Sequence, residues 1–317
     1  MGRSARYLGW VAAFGALWAL AACDVTPPPP ERPTARPAPA PAPGDAPKSL
    51  RSEQLSRYYS RLQADLLAKG LLRTDGGGPD TPYTADLLAR NFEEIVFFDE
   101  YAQGAGISAA GDRTAGKLRR WGGPVRMDVT FGNSVPRSRQ AEDLAVTQNY
   151  IRRLARVTGH PISYADDGNF HVLFMGEDDT QQMIDVLAEK APNISPRTLD
   201  VITNLPRSIH CLVVAFSSNE TPYNYTRAVA VIRTEHPDLI RLSCIHEELA
   251  QGLGLANDSP DARPSIFNDD DEFALLTSHD EKLLGMLYDP RLSTGMDAES
   301  ARPIVRILAR EKMGQSL

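Results

Sequence analysis

The 317-residue chain has few cysteines and no excess of basic residues, and each shortage excludes a class of protein. Its three cysteines are Cys23, Cys211 and Cys244, and no two of them form a C-x-x-C pair. A disulfide-dense scaffold and the common cysteine-rich zinc modules are therefore excluded. Lysine and arginine total 34 against 41 aspartate and glutamate residues, which gives a formal net charge of -7. We expect no nucleic-acid partner, because such a partner requires basic patches.

Long apolar runs are also scarce, and the run near the N-terminus is short for a membrane-spanning helix. Arg3 and Arg6 precede an apolar stretch that reaches Ala22, which is typical of a secretory signal. A transmembrane helix is the alternative, but it needs about 20 apolar residues. The stretch ends in Leu20-Ala21-Ala22-Cys23, which resembles the bacterial lipobox. The resemblance implies that residues 1–22 are a lipoprotein signal peptide and that Cys23 carries the lipid.

A lipid on Cys23 would anchor the chain to a membrane of the bacterial cell envelope, with the protein facing the periplasm. The sequence leaves open which membrane holds it. Residues 23–47 form a Pro-rich linker, which favours extended polyproline and cannot pack a core. We expect this linker to be a disordered spacer. In an oxidising periplasm the remaining cysteines, Cys211 and Cys244, are predicted to form a disulfide, with zinc ligation as the alternative.

The hydrophobic pattern divides the rest of the chain into a helical segment and a mixed domain. Residues 48–120 are predicted to be a small helical accessory segment, with helices over 49–72 and 84–101. From residue 121 onward strands and helices alternate, which predicts an α+β domain with one mixed sheet over 121–296 and a C-terminal helix or tail over 297–317. The predicted strands are 125–132, 169–176, 211–217 and 227–235, and the predicted helices are 138–159, 178–191, 237–255 and 277–289.

The stretch SCIHEELAQGLGLANDSP, residues 243–260, contains the densest group of chemistry-bearing residues. It holds no complete H-E-x-x-H motif, because the position four residues after His246 is Ala250, which cannot bind a metal. On a helical wheel Glu247, Gln251 and Gly254 share the face opposite the apolar stripe. His246 lies near that stripe instead. We therefore expect His246 to lie away from any site.

Shifted by one residue, the same stretch resembles the metzincin motif H-E-x-x-H-x-x-G-x-x-H/D. The resemblance places Glu247, Gln251 and Asn257 at the three metal-ligand positions, Glu248 at the general-base position and Gly254 at the turn. Downstream, PSIFND (264–269) resembles the metzincin Met-turn with Phe267 in place of Met, and LTSHDEKLLGMLY (276–288) resembles the final matrixin helix. These matches imply a metzincin-like zincin domain with an active-site-type helix and altered ligands.

A closer resemblance is to a bacterial family of unknown function whose members are mostly lipoproteins. Its hallmark is E-E-L-x-Q-x-L-G-L-x-N-D-S, followed by S-I-F-x-D and by L-x-x-x-D-x-x-L-L-x-x-L-Y-D-P-R-L-x-x-G-M. This chain carries all three blocks, the last ending in LYDPRLSTGM (287–296). The resemblance supplies no substrate.

The altered ligand positions weaken the case for zinc, because one carboxylate and two amides replace its preferred imidazole and thiolate ligands. Calcium accepts carboxylate and amide oxygens, but NDDDE (268–272) lacks the EF-hand spacing. No cofactor is therefore certain, and a divalent cation is the candidate. Without a metal, Glu247 and Glu248 would form an acidic helix face. Gln251 and Asn257 would then brace the loop after the helix, since Asn often bonds loop backbone.

Three functions remain open from the sequence. The first is an envelope lipoprotein with a degenerate metallopeptidase-like domain that binds a peptide or an envelope polymer across Glu247, Glu248 and Gln251. The second is a metal-dependent hydrolase in which Glu247, Gln251 and Asn257 hold the metal and Glu248 activates water. The third is a purely structural envelope lipoprotein.

Overall fold

The computed structural model describes residues 47–98, 116–268 and 270–315. The predicted signal peptide, Cys23 and nearly all of the Pro-rich linker lie outside the described residues. The helices are α1 (Leu50–Ala68), α2 (Ala85–Phe97), α3 (Arg137–Thr158), α4 (Thr180–Lys190), α5 (Pro196–Thr203), α6 (Asp238–Gln251), α7 (Ser278–Leu287) and α8 (Ala298–Lys312). The strands are β1 (Arg120–Trp121), β2 (Val125–Phe131), β3 (Ile162–Tyr164), β4 (Phe170–Phe174), β5 (Cys211–Ser217) and β6 (Asn224–Ile232).

The strands form a single mixed sheet, as predicted. Its order is β3-β2-β4-β6, with parallel pairing throughout, and β1 pairs in parallel with the first residues of β6. Strand β5 runs antiparallel to β6, with Cys211 opposite Ile232. Within the described residues β5 pairs with β6 alone, so its other edge faces no strand. The described part of the chain is therefore a mixed α/β domain whose one antiparallel strand lies at an edge.

Helices cover both faces of the sheet, which explains why all of β4 and the second half of β6 are buried and, apart from His171, apolar. Alternate side chains of β4 enter two different cores: Phe170, Val172 and Phe174 join the larger one, and Leu173 joins the smaller. The larger core contains side chains of α2, α3, α6, α7 and α8, and the smaller contains side chains of α4 and α5. Burial on both sides fixes the register of the strands. A slip of one residue would move the side chains of the larger core into the smaller core, and those of the smaller core into the larger.

The helices before residue 120 pack on the rest of the domain. Leu88, Phe92 and Ile95 of α2 are fully buried in the larger core, where α2 also lies against α8. Leu66 of α1 packs in a small separate cluster with Ile240 of α6. The predicted boundary at residue 120 stays a prediction, and the hydrophobic core is continuous across it.

The observed elements differ from the predicted ones mainly at their ends. The helix predicted over 237–255 ends at Gln251, and the strand predicted over 227–235 begins at Asn224 and ends at Ile232. Strands β1 and β3 and helix α5 were not predicted, because two-, three- and eight-residue elements show too little periodicity. The C-terminal helix predicted after residue 297 is α8. None of the helices formed by the described residues has the length and hydropathy needed to cross a membrane.

Candidate functional site

Helix α6 is fixed at both ends by side chains from other parts of the chain. Its N-cap is Pro237, which offers no side-chain acceptor. Gln63 of α1 supplies one instead: its Oε1 accepts hydrogen bonds from the N–H groups of Leu239 and Ile240, at 3.1 and 3.2 Å. Because the first N–H groups of a helix have no partner within it, this contact satisfies two of them.

At the other end, two aromatic side chains bind the backbone that follows α6. The indole of Trp121 donates to the carbonyl oxygen of Gly252 at 2.8 Å, and the hydroxyl of Tyr288 donates to that of Leu253 at 2.9 Å. Gly254 then turns the chain with φ at 127°, where a Cβ would lie 2.6 Å from the carbonyl oxygen of Arg119. Both the conformation and the close approach require glycine. The structure thus places a turn where the metzincin resemblance implied one.

His246 lies in the core, behind the part of α6 that meets solvent. Its ring stacks on Tyr150 with centroids 4.0 Å apart, and its Nδ1 accepts a hydrogen bond from the N–H of Leu276 at 3.0 Å. Burial, with a smaller contribution from Arg153, lowers the pKa of His246 to about 3. A neutral, stacked imidazole with this partner is a packing residue, which agrees with the expectation that His246 lies away from the site.

The turn that contains Phe267 is held by a buried carboxylate from α7. Asp280 has no exposed surface and accepts hydrogen bonds from the Ser265 hydroxyl at 2.6 Å and from the N–H groups of Ile266 and Thr277 at 3.1 and 2.9 Å. Phe267 is itself fully buried in the larger core. Residues 264–268 and 276–284 are therefore one structural unit, in which the second segment supplies the acceptor for the first.

Cys211 and Cys244 form the predicted disulfide. It joins the first residue of the edge strand β5 to the middle of α6. Cys244 precedes Glu247 by three residues and Glu248 by four, and side chains at these spacings share one face of a helix. The disulfide therefore brings the start of β5 next to both glutamates.

A cleft of about 760 Å³ opens between β5 and α6, within the range of about 300–1,000 Å³ that is typical of ligand sites. The whole of β5 forms one wall. Glu247, Glu248 and Gln251 of α6 line it, together with Cys211, and we call these four residues the cleft floor. Other residues that line the cleft come from helix α5 and from the loops around it, and they include Arg119, Arg197, His210, Asp258 and Asp271.

Acidic groups dominate the cleft floor. Carboxylate oxygens of Glu247 and Glu248 and the Sγ of Cys211 all lie within 4.8 Å of one another. Glu248 is only 3% exposed, whereas Glu247 is partly exposed. The side-chain amide of Gln251 donates to Asp258 Oδ1 at 3.4 Å, so a third carboxylate joins the same region. Two arginines also line the cleft, against four carboxylates, so the lining as a whole is net acidic and would favour a cationic group, either an ion or a positively charged side chain.

The side chain of Asn257 contacts helix α2 and not the cleft. Its side-chain amide donates to the carbonyl oxygen of Glu94 at 3.0 Å, and its N–H donates to that of Ile95 at 3.1 Å. Both acceptors belong to the last turn of α2, so Asn257 ties the loop after α6 to that helix. It is not among the residues that line the cleft. These contacts agree with the bracing role that the sequence left open beside the ligand role.

The three residues at the metzincin ligand positions do not all face one point. Glu247 and Gln251 line the cleft and Asn257 does not. The two amide groups at these positions already donate hydrogen bonds to Asp258 and to the backbone of α2. These three residues include no imidazole and do not converge on one point. They therefore do not fit a zinc ion of the metzincin type.

Much of the cleft lining could not be predicted from the sequence. The wall formed by β5, the position of Cys211 and the contribution of Asp258 all depend on contacts between distant segments. The predicted disulfide is the one feature of the sequence that indicates the position of Cys211. If Cys211 and Cys244 pair, then Cys211 must lie on the face of α6 that carries Glu247 and Glu248.

The fold and the site define a mixed α/β domain with an acidic cleft between an edge strand and a helix. The chain belongs to the family described as "Protein of unknown function (DUF2927)", whose model matches residues 85–307. The match includes α2, the complete sheet and the cleft. No curated protein and no solved structure matches the chain.

Proposed function

We propose that this protein is a lipid-anchored envelope protein whose metzincin-like domain binds an extended peptide or a similar envelope polymer, without hydrolysing it. The observation that carries the proposal is the cleft of about 760 Å³ between the acidic residues of α6 and the edge of β5 that pairs with no strand of the described residues. Extended peptides bind at such edges by adding a strand to the sheet.

Several features support the metzincin-like assignment. A mixed sheet precedes a long helix with glutamates facing a cleft, which is the element order that the resemblance implies. Gly254 makes a turn directly after that helix, and the turn at Phe267 is buried below it. The position of the candidate base also agrees, because Glu248 lines the cleft next to Glu247.

The chemistry of the cleft suggests which peptides bind. The backbone edge of β5 would pair with the ligand's main chain, and alternate side chains of the ligand would then point into the cleft. Glu247, Glu248 and Asp258 would favour a lysine, an arginine or a free amine at the position above the cleft floor. Burial of Glu248 strengthens this preference, since charges interact more strongly away from water.

Binding is favoured over hydrolysis because two of the three ligand positions carry neutral amides. Gln251 and Asn257 are both engaged in hydrogen bonds within the protein. The anchor is proposed from the sequence: Cys23 would carry the lipid, and the Pro-rich linker would hold the domain away from the membrane. The disulfide agrees with an oxidising compartment such as the periplasm.

The binding mode can be tested with labelled peptides that have alternating N-methyl groups along the backbone. Each N-methyl group removes one N–H donor and adds bulk at one side of the strand. We expect fluorescence anisotropy to show binding that is lost for N-methylation at every second position, because only alternate N–H groups face β5. Equal loss at all positions, or at none, would contradict strand addition.

The charge preference can be tested by exchanging the central residue of the peptide. Lysine should bind more tightly than the neutral isostere norleucine, and Glu247→Gln should reduce the difference. Glu189→Gln on α4 is the matched control, since its side chain is 75% exposed and does not line the cleft. It should leave both affinities unchanged.

The hydrolase alternative predicts a stoichiometric divalent metal in the protein as purified, held by Glu247, Gln251 and Asn257. Elemental analysis of the wild type and of Gln251→Ala separates the proposals. A metal that is present in the wild type and lost in the variant would overturn the binding proposal. The purely structural alternative predicts that neither Glu247→Gln nor Glu248→Gln alters any cellular phenotype.

The lipid anchor has its own test. Cys23→Ser should move the protein from the membrane fraction to the soluble fraction and abolish the incorporation of labelled palmitate. Retention of the label by that variant would exclude Cys23 as the modified residue.

A further inference from the structure

The disulfide at the cleft is asymmetric. Cys211 is 8% exposed and lines the cleft, whereas Cys244 is 1% exposed and does not. The Sγ of Cys244 instead lies 3.7 Å from Nδ1 of the buried His236. A reductant that enters the cleft therefore reaches the sulfur of Cys211 first, and after reduction Cys211 is the thiol that remains in the cleft.

Cys211 also belongs to the group of side chains that comes nearest to a metal site among the described residues. Its Sγ and the carboxylate oxygens of Glu247 and Glu248 lie within 4.8 Å of one another. Ligand atoms of a tetrahedral zinc ion lie about 3.5 Å apart, since zinc–sulfur and zinc–oxygen bonds measure about 2.3 and 2.0–2.2 Å. Rotations of the side-chain torsions that move the ligand atoms by about 1 Å would close that gap.

We propose that reduction of the Cys211–Cys244 disulfide creates a zinc site formed by Cys211, Glu247 and Glu248. While the disulfide is intact, the sulfur of Cys211 is bonded to that of Cys244 and carries no charge, so it is not a zinc ligand. After reduction its thiolate joins two carboxylates. This set of one soft and two hard anionic ligands suits zinc and leaves the fourth position open.

The reduction balances with a dithiol reductant. One thiolate of the reductant attacks Sγ of Cys211, the Sγ–Sγ bond breaks, and Cys244 leaves as a thiolate that takes up a proton. The second thiol of the reductant then attacks the mixed disulfide and releases Cys211, and the reductant becomes a disulfide. Two electrons and two protons pass to the protein. Zinc then displaces the proton of the Cys211 thiol and binds the thiolate.

This site differs from the ligand set of the hydrolase alternative in residues and in redox dependence. It uses Cys211 and Glu248 in place of Gln251 and Asn257, and it forms only when the disulfide is open. It does not depend on peptide binding, so failure of the peptide proposal leaves it intact. Its physical consequence is a cleft floor whose two carboxylates are uncompensated by a metal in the oxidised protein and whose three anionic ligands are largely compensated by zinc in the reduced one.

Two single variants of the full chain test the proposal without any reductant, both in a Cys23→Ser background so that Cys23 offers no thiol. Cys244→Ser leaves the Cys211 thiol facing the cleft, and Cys211→Ser leaves the Cys244 thiol in the core. Both variants lose the same disulfide, so any difference between them reports on the position of the thiol. The probe is zinc chloride, measured by equilibrium dialysis.

We expect Cys244→Ser to bind one zinc ion per chain, and Cys211→Ser and the oxidised parent to bind it at least about 100-fold more weakly, because loss of a partner outside the ligand shell already costs about 10–100-fold. Cobalt bound to Cys244→Ser should show a thiolate-to-metal charge-transfer band. Glu247→Gln or Glu248→Gln added to Cys244→Ser should weaken binding, and Gln251→Ala should not.

The proposal is overturned if Cys211→Ser binds zinc as tightly as Cys244→Ser, or if Cys244→Ser binds it no better than the oxidised parent. If Cys244→Ser fails to fold by circular dichroism, the parent is measured after reduction and removal of the reductant without air. Zinc binding equal to that of the oxidised parent in that sample would overturn the proposal as well.

Discussion

Two neighbouring regions of this molecule use the same acidic chemistry in different ways. One is the cleft floor, where Glu247 and Glu248 lie beside a large cavity. The other is a buried set of polar residues that does not line the cleft, formed by His246, Ser265, Thr277 and Asp280, which we call the polar core. In the polar core Asp280 is enclosed by donors from the turn at 264–268, whereas the cleft glutamates face space that a ligand can enter.

The difference shows that the motif residues of this chain divide into two roles. Hydrogen-bond donors surround Asp280 on the inside of the protein, so removing its carboxylate leaves buried groups without a partner and reduces stability. The cleft floor concentrates negative charge next to the edge strand, so altering it changes what the cleft attracts. Four measurements distinguish these two roles.

Asp280→Ala should reduce the free energy of unfolding by about 3–5 kcal/mol, because it leaves several buried donors without an acceptor. Those donors include the Ser265 hydroxyl and the N–H groups of Ile266 and Thr277. Urea unfolding monitored by circular dichroism measures the loss. A loss below about 1 kcal/mol would show that the turn does not depend on this carboxylate.

Gly254→Ala should cost about 2 kcal/mol or more, since alanine disfavours positive φ and its Cβ would contact the backbone of Arg119. Two other glycines are matched controls. Gly70→Ala has a positive φ without a close contact and should cost about 1 kcal/mol, and Gly123→Ala has neither and should be near neutral. Equal losses at all three positions would contradict the role of the close contact at Gly254.

The pKa of His246 makes the stability of the polar core depend on pH. Burial lowers this pKa from 6.5 to about 3, so the unfolded chain binds the proton first as the pH falls. The resulting contribution is fully present above pH 6.5 and is lost as the pH falls towards 3, by about 1.4 kcal/mol per pH unit. Unfolding of the wild type should therefore show a steeper acid dependence than that of His246→Gln. Parallel curves for the two proteins would exclude a buried neutral His246.

Glu247→Gln should change the free energy of unfolding by less than about 0.5 kcal/mol, because this side chain is partly exposed at the cleft. The same variant should still reduce the preference for lysine-containing peptides. Denaturation and anisotropy measured on one sample give both results. A large loss of stability with unchanged peptide selectivity would show that Glu247 has a structural role, like the residues of the polar core.

Much of the fold could be predicted because the signals are local. The apolar runs around Val172 and Ala230 predict strands that the larger and smaller cores bury from both sides. The helical periodicity of 138–159 agrees with α3 to within one residue at each end. Strands β1 and β3 were not predicted, because each has only two or three residues. They are stabilised by pairing with segments far along the chain, β1 at Asn224 and β3 at Val125. Such pairing leaves no periodic signal in the sequence.

The candidate site was predicted in part for the same reason. The wheel positions of Glu247 and Gln251 follow from helical geometry alone, and both residues line the cleft. Asn257 lies beyond the helix, where the wheel no longer applies, and its amide binds the backbone of α2. The hydrogen bonds that Asp280 accepts from the turn at 264–268 depend on packing between two separate segments, so no local pattern predicts them.

The frame of the site could be predicted before any fold was known: the helix with Glu247 and Glu248, the glycine turn after it and the pairing of Cys211 with Cys244. The helix follows from helical spacing and the disulfide from the count of cysteines, and the metzincin resemblance implies the turn. What surrounds that frame depends on the tertiary structure. It placed the edge of β5 across from the glutamates, brought Cys211 within reach of both carboxylates and turned Asn257 towards α2. These outcomes depend on the packing of segments that are far apart along the chain, and packing is settled by the whole fold.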